Sequence, residues 1–290
     1  AQGEGIIFSL QDKINIIKIL DDFGVDFIEA GNPASNPKDL KFFEELKNIP
    51  TKNSKIVAFG STRRKEEKAE NDEALLKLAE CSAEYISLFG KSSLFHVSEI
   101  IKTTPEENLL MIEESISFLK SKGKHIFFDA EHFFDGYKDN PDYALKVIKS
   151  AEKSGAERIV LCDTNGGTLP DEIAEITKAV KEEISVTTGI HAHNDIGCAE
   201  ADCFAAVKSG ATHIQGTFIG FGERCGNANL SSVMATLKLK MGYELSPVID
   251  LTRLTKTARH IAEISNITLT DNLAYIGKNA FSHKGGMHID

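Results

Sequence analysis

The chain has no run of 18 or more apolar residues, which a helix crossing a bilayer would need. The opening Ala1-Gln2-Gly3-Glu4 carries neither the basic nor the apolar region of a secretory leader, and Met287-His288-Ile289-Asp290 does not read as a natural terminus. Positive charge is in short supply: 33 Lys and Arg against 43 Asp and Glu leave a net charge of -10. That argues against a nucleic-acid partner, which would require a basic footprint. The cluster Arg63-Arg64-Lys65 reads either as an anion contact or as a solvated loop. Five cysteines (Cys81, Cys162, Cys198, Cys203, Cys225) form no C-x-x-C pair and no disulfide framework, so a reducing cytoplasm is expected. No G-x-G-x-x-G follows an early strand, which disfavours a dinucleotide-binding sheet. No Gly/Ser linker divides the chain.

What is present is an alternation. Short β-rich runs at Asp26–Gly31, Lys55–Gly60, Tyr85–Gly90, His125–Ala130, Arg158–Cys162, Val186–His191 and His213–Thr217 read as strands. Between and around them, amphipathic runs at Leu10–Gly24, Glu66–Cys81, Pro105–Lys122, Asp142–Ser154, Pro170–Glu183, Ala199–Ser209 and Asn229–Lys240 read as helices. Strands alternating with helices imply a parallel sheet, and their number favours a (β/α)8 TIM barrel with its first strand truncated. Two further helical stretches are expected, near Asp250–Ser265 and beyond Asn272. The predicted division is a catalytic barrel over residues 1–245 and the beginning of a linker subdomain over 246–290.

Polar residues collect where strands end: Glu29, Asp129, Glu131, Asp163, Thr164, His191, His193 and Asn194. The C-terminal strand ends of such a barrel build its active site, and charges are costly there unless paired or metal-bound. In His191-Ala192-His193-Asn194-Asp195 both imidazoles share one strand face, an arrangement suited to zinc or manganese-like ions. The loop Gly220–Asn229 follows the last strand, and its Asn227 could add an oxygen ligand or simply belong to a capped loop. Asp129 and Glu131 share a face, as general acid or base or as partners of a basic group. Thr164 could bind a carboxylate or cap the helix at Pro170. Phe133, Phe134 and Tyr137 could narrow a pocket or pack in the core.

Together these motifs resemble the 2-isopropylmalate, homocitrate and citramalate synthase family. The resemblance runs through Gln2-Gly3-Glu4-Gly5, H-x-H-N-D at His191–Asp195 and the Gly-x-Gly-Glu-Arg-x-Gly-Asn loop ending at Asn227. It covers essentially the whole chain. It implies a divalent metal (Mn, Zn or Mg) on His191, His193 and Asn227, with an aspartate of the family's first motif that precedes residue 1. It implies Glu131 and His288 as catalytic groups, Gln2, His96 and Thr164 as binders of a 2-oxo acid, and Glu223 and Gly226 in an acetyl-CoA loop. His288 would act in a neighbouring barrel, so a homodimer is implied. The expected chemistry is condensation of acetyl-CoA with a small 2-oxo acid. The runs FDAEHFFDGYKDNPDYA and LFGKS-x-x-x-HV resemble the citramalate branch, whose acceptor is pyruvate. A 2-isopropylmalate or homocitrate synthase, an acyl-CoA lyase on the same barrel, and a non-catalytic barrel remain the alternatives, with the Gly222–Asn227 loop favouring a synthase.

Overall fold

The computed structural model describes residue 3 and residues 5–283; Gln2 and His288 lie outside the described residues. Seven parallel strands follow one another in chain order: β1 (Phe27–Gly31), β2 (Lys55–Ser61), β3 (Tyr85–Lys91), β4 (His125–Glu131), β5 (Arg158–Asp163), β6 (Thr187–Ala192) and β7 (His213–Gln215). Every strand read from the sequence is present. Among the described residues ten α-helices accompany them: α1 (Leu10–Phe23), α2 (Pro37–Leu46), α3 (Glu73–Glu80), α4 (Pro105–Ser121), α5 (Phe133–Asp139), α6 (Pro141–Lys153), α7 (Pro170–Glu183), α8 (Ala199–Lys208), α9 (Leu230–Leu239) and α10 (Leu254–Ile264). A single π-turn spans His96–Ile100.

Local chemistry sets the helix starts. Ser9 opens α1 with a capping box to Asp12, while Thr104 and Asn140 cap α4 and α6, each with proline in the first turn. The run expected to be helical from Glu66 begins only at Glu73. Asp72 accepts from the backbone N–H groups of Ala74 and Leu75 and so fixes the helix start there. Among the described residues no helix follows Asn272. Residues 271–281 fold as successive turns, in which Tyr275 has φ 63° and Gly277 lies against the backbone of Asp271 and Leu273.

Period-two alternation sorts the strand residues into two environments. Ile28, Ala58, Ile86, Leu88, Ile126, Phe128, Ala130, Ile159, Leu161, Ile190 and Ala192 join the helices in the main apolar core. Their neighbours in sequence point to the concave side. At its N-terminal end that side is aromatic: the Phe27 ring lies 4.9 Å from Phe127, 5.3 Å from Tyr85 and 6.0 Å from His213. These contacts join β1 to β4 and to β7, so the sheet is strongly curled. The Arg158 guanidinium covers Phe27 and Phe127 at 5.0 and 5.2 Å. The aromatic floor leaves the C-terminal end for polar groups. A second apolar cluster joins Phe23 of α1 and Met234 of α9 to Leu254, Ala258 and Ile261 of α10.

Candidate active site

Strand register brings the polar residues together in two groups. The first joins β3, β4 and the loops after β4 and β5. Lys91 is the cross-strand partner of Glu131, and their side chains form an ion pair. Of the roles open to Glu131, the structure therefore shows it holding a basic partner. His96 stacks on His132 with 3.8 Å between ring centroids. Burial, and then the charges of His132 and Lys91, hold the His96 pKa below the ordinary histidine value. The backbone N–H of His132 donates to Thr164 Oγ1 at 2.8 Å. Thr164 thus stands beside Glu131, and it does not cap the following helix: Leu169 occupies that position.

The second group joins β3, β4, β6, β7 and the loop after β7. His191 pairs in register with Gln215, and His191 Nδ1 lies 2.8 Å from Gln215 Oε1. Gln215 Nε2 donates to Asp129 Oδ1 at 3.0 Å, and Ser87 Oγ donates to Asp129 Oδ2 at 2.6 Å. On the other side of the ring, Asn227 Nδ2 faces His191 Nε2 at 3.0 Å. The His191 and His193 rings are 5.1 Å apart. His193 is buried, its Nδ1 has no hydrogen-bond partner among the described residues, and burial with the nearby charges of His191 and Arg224 lowers its pKa to about 4. At neutral pH it is therefore uncharged, with one ring nitrogen offering a lone pair. Among the described residues no group of three or more His, Cys, Asp or Glu stands together to hold a metal. The donor set that could serve one is the two imidazoles and the Asn227 carboxamide.

The loop after β7 is stitched to both groups. Arg224 donates from Nε and Nη2 to the Asp195 carboxylate at 2.8 and 2.9 Å and from Nη2 to Thr164 O at 2.6 Å. Gly226 is buried with φ 97°, and a Cβ there would overlap the carbonyl oxygen of Gly220. Its own carbonyl accepts from Asn194 N at 2.9 Å. Glu223, by contrast, is exposed beside Arg224 at 3.3 Å.

Other strand-end residues have structural partners. Asp163 accepts from Thr168 N and Oγ1 at 3.1 and 2.9 Å. Asn194 Oδ1 accepts from Ala199 N at 3.2 Å. Glu29 reaches solvent, yet the protein crowded around its carboxyl, and then the Asp129 charge, raise its pKa to about 7. Arg63 is neither solvated nor available to an anion: it is buried against Glu107 and Glu114. Phe133 and Phe134 are fully buried in the main core, with Tyr137 packed against it. Lys91, His132, Ser87 and Gln215 received no role from the sequence. For Ser87 and Lys91 the available signal was strand parity, which puts both on the face of Phe89.

A curled parallel sheet with an outer ring of helices defines a TIM-barrel protein, and its polar cluster lies at the carboxyl ends of the strands, where such barrels carry their active sites. The chain belongs to the HMGL-like family, whose model matches residues 1–261. It is 51% identical over 289 residues to the (R)-citramalate synthase of Aquifex aeolicus, covering 99% of this chain and 55% of that protein. It is 46% identical to the (R)-citramalate synthase of Synechocystis, covering 100% of this chain and 54% of the relative. Identity to the homocitrate synthase of Sulfolobus acidocaldarius is lower, 35%, over 99% of this chain and 59% of that protein. The resemblance to the synthases is thus borne out, and the chain spans about half the length of the curated (R)-citramalate synthases it matches. The hydroxymethylglutaryl-CoA lyase of Pseudomonas aeruginosa shares the fold, with a TM-score of 0.77 at 18% identity, covering 96% of this chain and 92% of that one. No helix among the described residues is long and apolar enough to cross a membrane.

Proposed function

We propose that this barrel condenses acetyl-CoA with a small 2-oxo acid, pyruvate, to give citramalate. The observation that carries the reading is the contrast in identity: 46–51% to (R)-citramalate synthases against 34–35% to homocitrate synthases.

The donors at the barrel mouth suit a divalent cation such as Mn, Zn or Mg. His193 is neutral with a buried, unpartnered nitrogen, and His191 Nε2 faces only a rotatable carboxamide. His191, His193 and Asn227 would hold the cation, with the first-motif aspartate that the family resemblance implies. When bound, it supplies Lewis-acid polarisation of the acceptor's keto group. The chain's own residues do the rest. His96 and Thr164, with Gln2, bind and orient the 2-oxo acid carboxylate. Glu131, steadied by Lys91, is read as the group that passes a proton to or from the keto oxygen, and His288 as the base that takes one from the acetyl methyl. The methyl carbon bonds to the keto carbon as the keto π bond breaks, and the alkoxide oxygen left behind takes a proton to become the product hydroxyl. Water then cleaves the thioester, releasing citramalate and the coenzyme A thiol. Gly226 and Glu223 shape the loop read as lying over the coenzyme. Residues 246–290 are read as the start of a linker subdomain, and the assembly as a homodimer.

Thiol release from acetyl-CoA by the full-length protein tests this, with Mn or Zn present and pyruvate, 2-oxoisovalerate and 2-oxoglutarate offered separately. Pyruvate-dependent release that is lost in His191→Ala is expected. Preference for another acceptor would retain the condensation and overturn the substrate. No release with any of them would point instead to a lyase or to a barrel without catalysis.

A further inference from the structure

Gln215 lies on the shortest strand, β7, and no motif draws attention to it. Its side chain nevertheless joins the concave faces of three strands, because it bridges Asp129 on β4 and His191 on β6. The direction of each hydrogen bond can be worked out from one end. Burial raises the Asp129 pKa, against which the Ser87 hydroxyl, the His191 charge and the Gln215 amide lower it; in its charged form, which those partners favour, the carboxylate only accepts. Asp129 receives the Ser87 hydroxyl on one oxygen and the Gln215 amide on the other. The Gln215 Nε2 group must therefore face Asp129, which turns Oε1 toward His191. An amide oxygen also only accepts. The nitrogen that meets it, His191 Nδ1, must then carry the ring proton. The contact on the far side is consistent with this: with Asn227 Nδ2 toward His191 Nε2, that ring nitrogen accepts.

We propose that Gln215 is a positioning residue, oriented by Asp129 and Ser87, that fixes His191 in the Nδ1–H tautomer and aims the Nε2 lone pair at the barrel mouth. It touches neither substrate nor cation; it acts through His191. A neutral carboxamide aimed by a buried carboxylate leaves the imidazole one role, that of an Nε2 donor. Partners of this kind on the outer side of a liganding histidine typically contribute 10–100-fold to metal affinity. The inference rests on the proposed metal-dependent reading for its purpose, but the tautomer itself does not depend on it.

The test uses the full-length protein freed of metal, with ring-nitrogen NMR shifts of His191 assigned by comparison with His191→Ala. Native protein is expected to show protonated Nδ1 and bare Nε2. Gln215→Met removes the acceptor, and His191 should become a mixture of tautomers. Gln215→Glu keeps an acceptor against Nδ1 and should restore the single tautomer. Titration with Mn alone should show binding weakened 10–100-fold in Gln215→Met, with the circular dichroism spectrum unchanged. A His191 tautomer indifferent to Gln215→Met would overturn the proposal, as would a protonated Nε2 in the native protein. Tautomer control without Mn binding by the native protein would support the relay and sink the metal reading instead.

Discussion

The imidazoles of His96 and His132 lie face to face, 3.8 Å between centroids and 16° from parallel. The buried His96 Nδ1 has no hydrogen-bond partner among the described residues, while His132 Nδ1 faces the Asp135 carboxylate at 3.7 Å. Two rings this close resist a shared positive charge, and burial adds to the effect. His96 should therefore protonate below the ordinary histidine range, as its lowered pKa indicates. His132→Ala opens the stack and removes one of the two largest causes, so the His96 midpoint should move upward. An NMR titration of the His96 ring protons in both proteins measures this. A midpoint unchanged by the substitution would show that the stack does not govern His96.

The loop after β7 has little tolerance at Gly226. Its φ of 97° disfavours any L side chain, and a Cβ would meet the Gly220 carbonyl oxygen. Gly226→Ala should cost at least about 2 kcal/mol in stability. Because the Gly226 carbonyl receives Asn194 N, the displacement would also loosen the segment carrying His193. Urea unfolding reads the first effect, and the weaker Mn binding expected of the variant reads the second. Native-like stability in Gly226→Ala would mean that the loop readily adopts another path.

The strands were legible because burial on the helix side forces alternation, and the polar strand ends interrupt otherwise apolar runs. His191, His193 and Glu131 stood out for that reason. Gln215 did not: on a strand of three residues, alternation cannot say which face is concave until the neighbouring strand fixes the register. Arg63 misled because a charge run in sequence does not reveal that Glu107 and Glu114, far along the chain, bury it. Phe133 and Phe134 follow a strand end directly, so sequence alone could not separate a pocket wall from core; the helix α5 turns both inward.

Arg224 holds a left-handed backbone, φ 53°, while its guanidinium ties Asp195 to the Thr164 carbonyl. The pair is partly exposed, so losing it should cost only about 1 kcal/mol. Backbone strain of about 1–2 kcal/mol at such a residue is relieved by glycine and not by alanine. Arg224→Gly should therefore unfold at no lower denaturant concentration than Arg224→Ala. Both should speed amide exchange across 220–227, because the tie to the β5 and β6 loops is cut in each. A higher denaturant midpoint for the alanine variant would show that strain at this position is negligible.

Asp202 in α8 is fully buried, and neither carboxylate oxygen has a hydrogen-bond partner among the described residues. Burial, then the charges of Asp163 and Glu200, raise its pKa to about 7 from an ordinary 3.8. Between those values the folded protein keeps a proton that the unfolded chain has released, so stability falls as pH rises and levels off above about 7. Asp202→Asn has no such proton to lose. Every other titrating group is common to both proteins, so the difference between their unfolding free energies isolates this one. From pH 5 to pH 8 that difference should swing toward the asparagine variant by about 2–3 kcal/mol. Urea unfolding of the two proteins at both pH values measures it. A gap that stays constant would place Asp202 in contact with water or a partner that keeps its carboxylate charged, and the burial of this group would then carry no pH dependence.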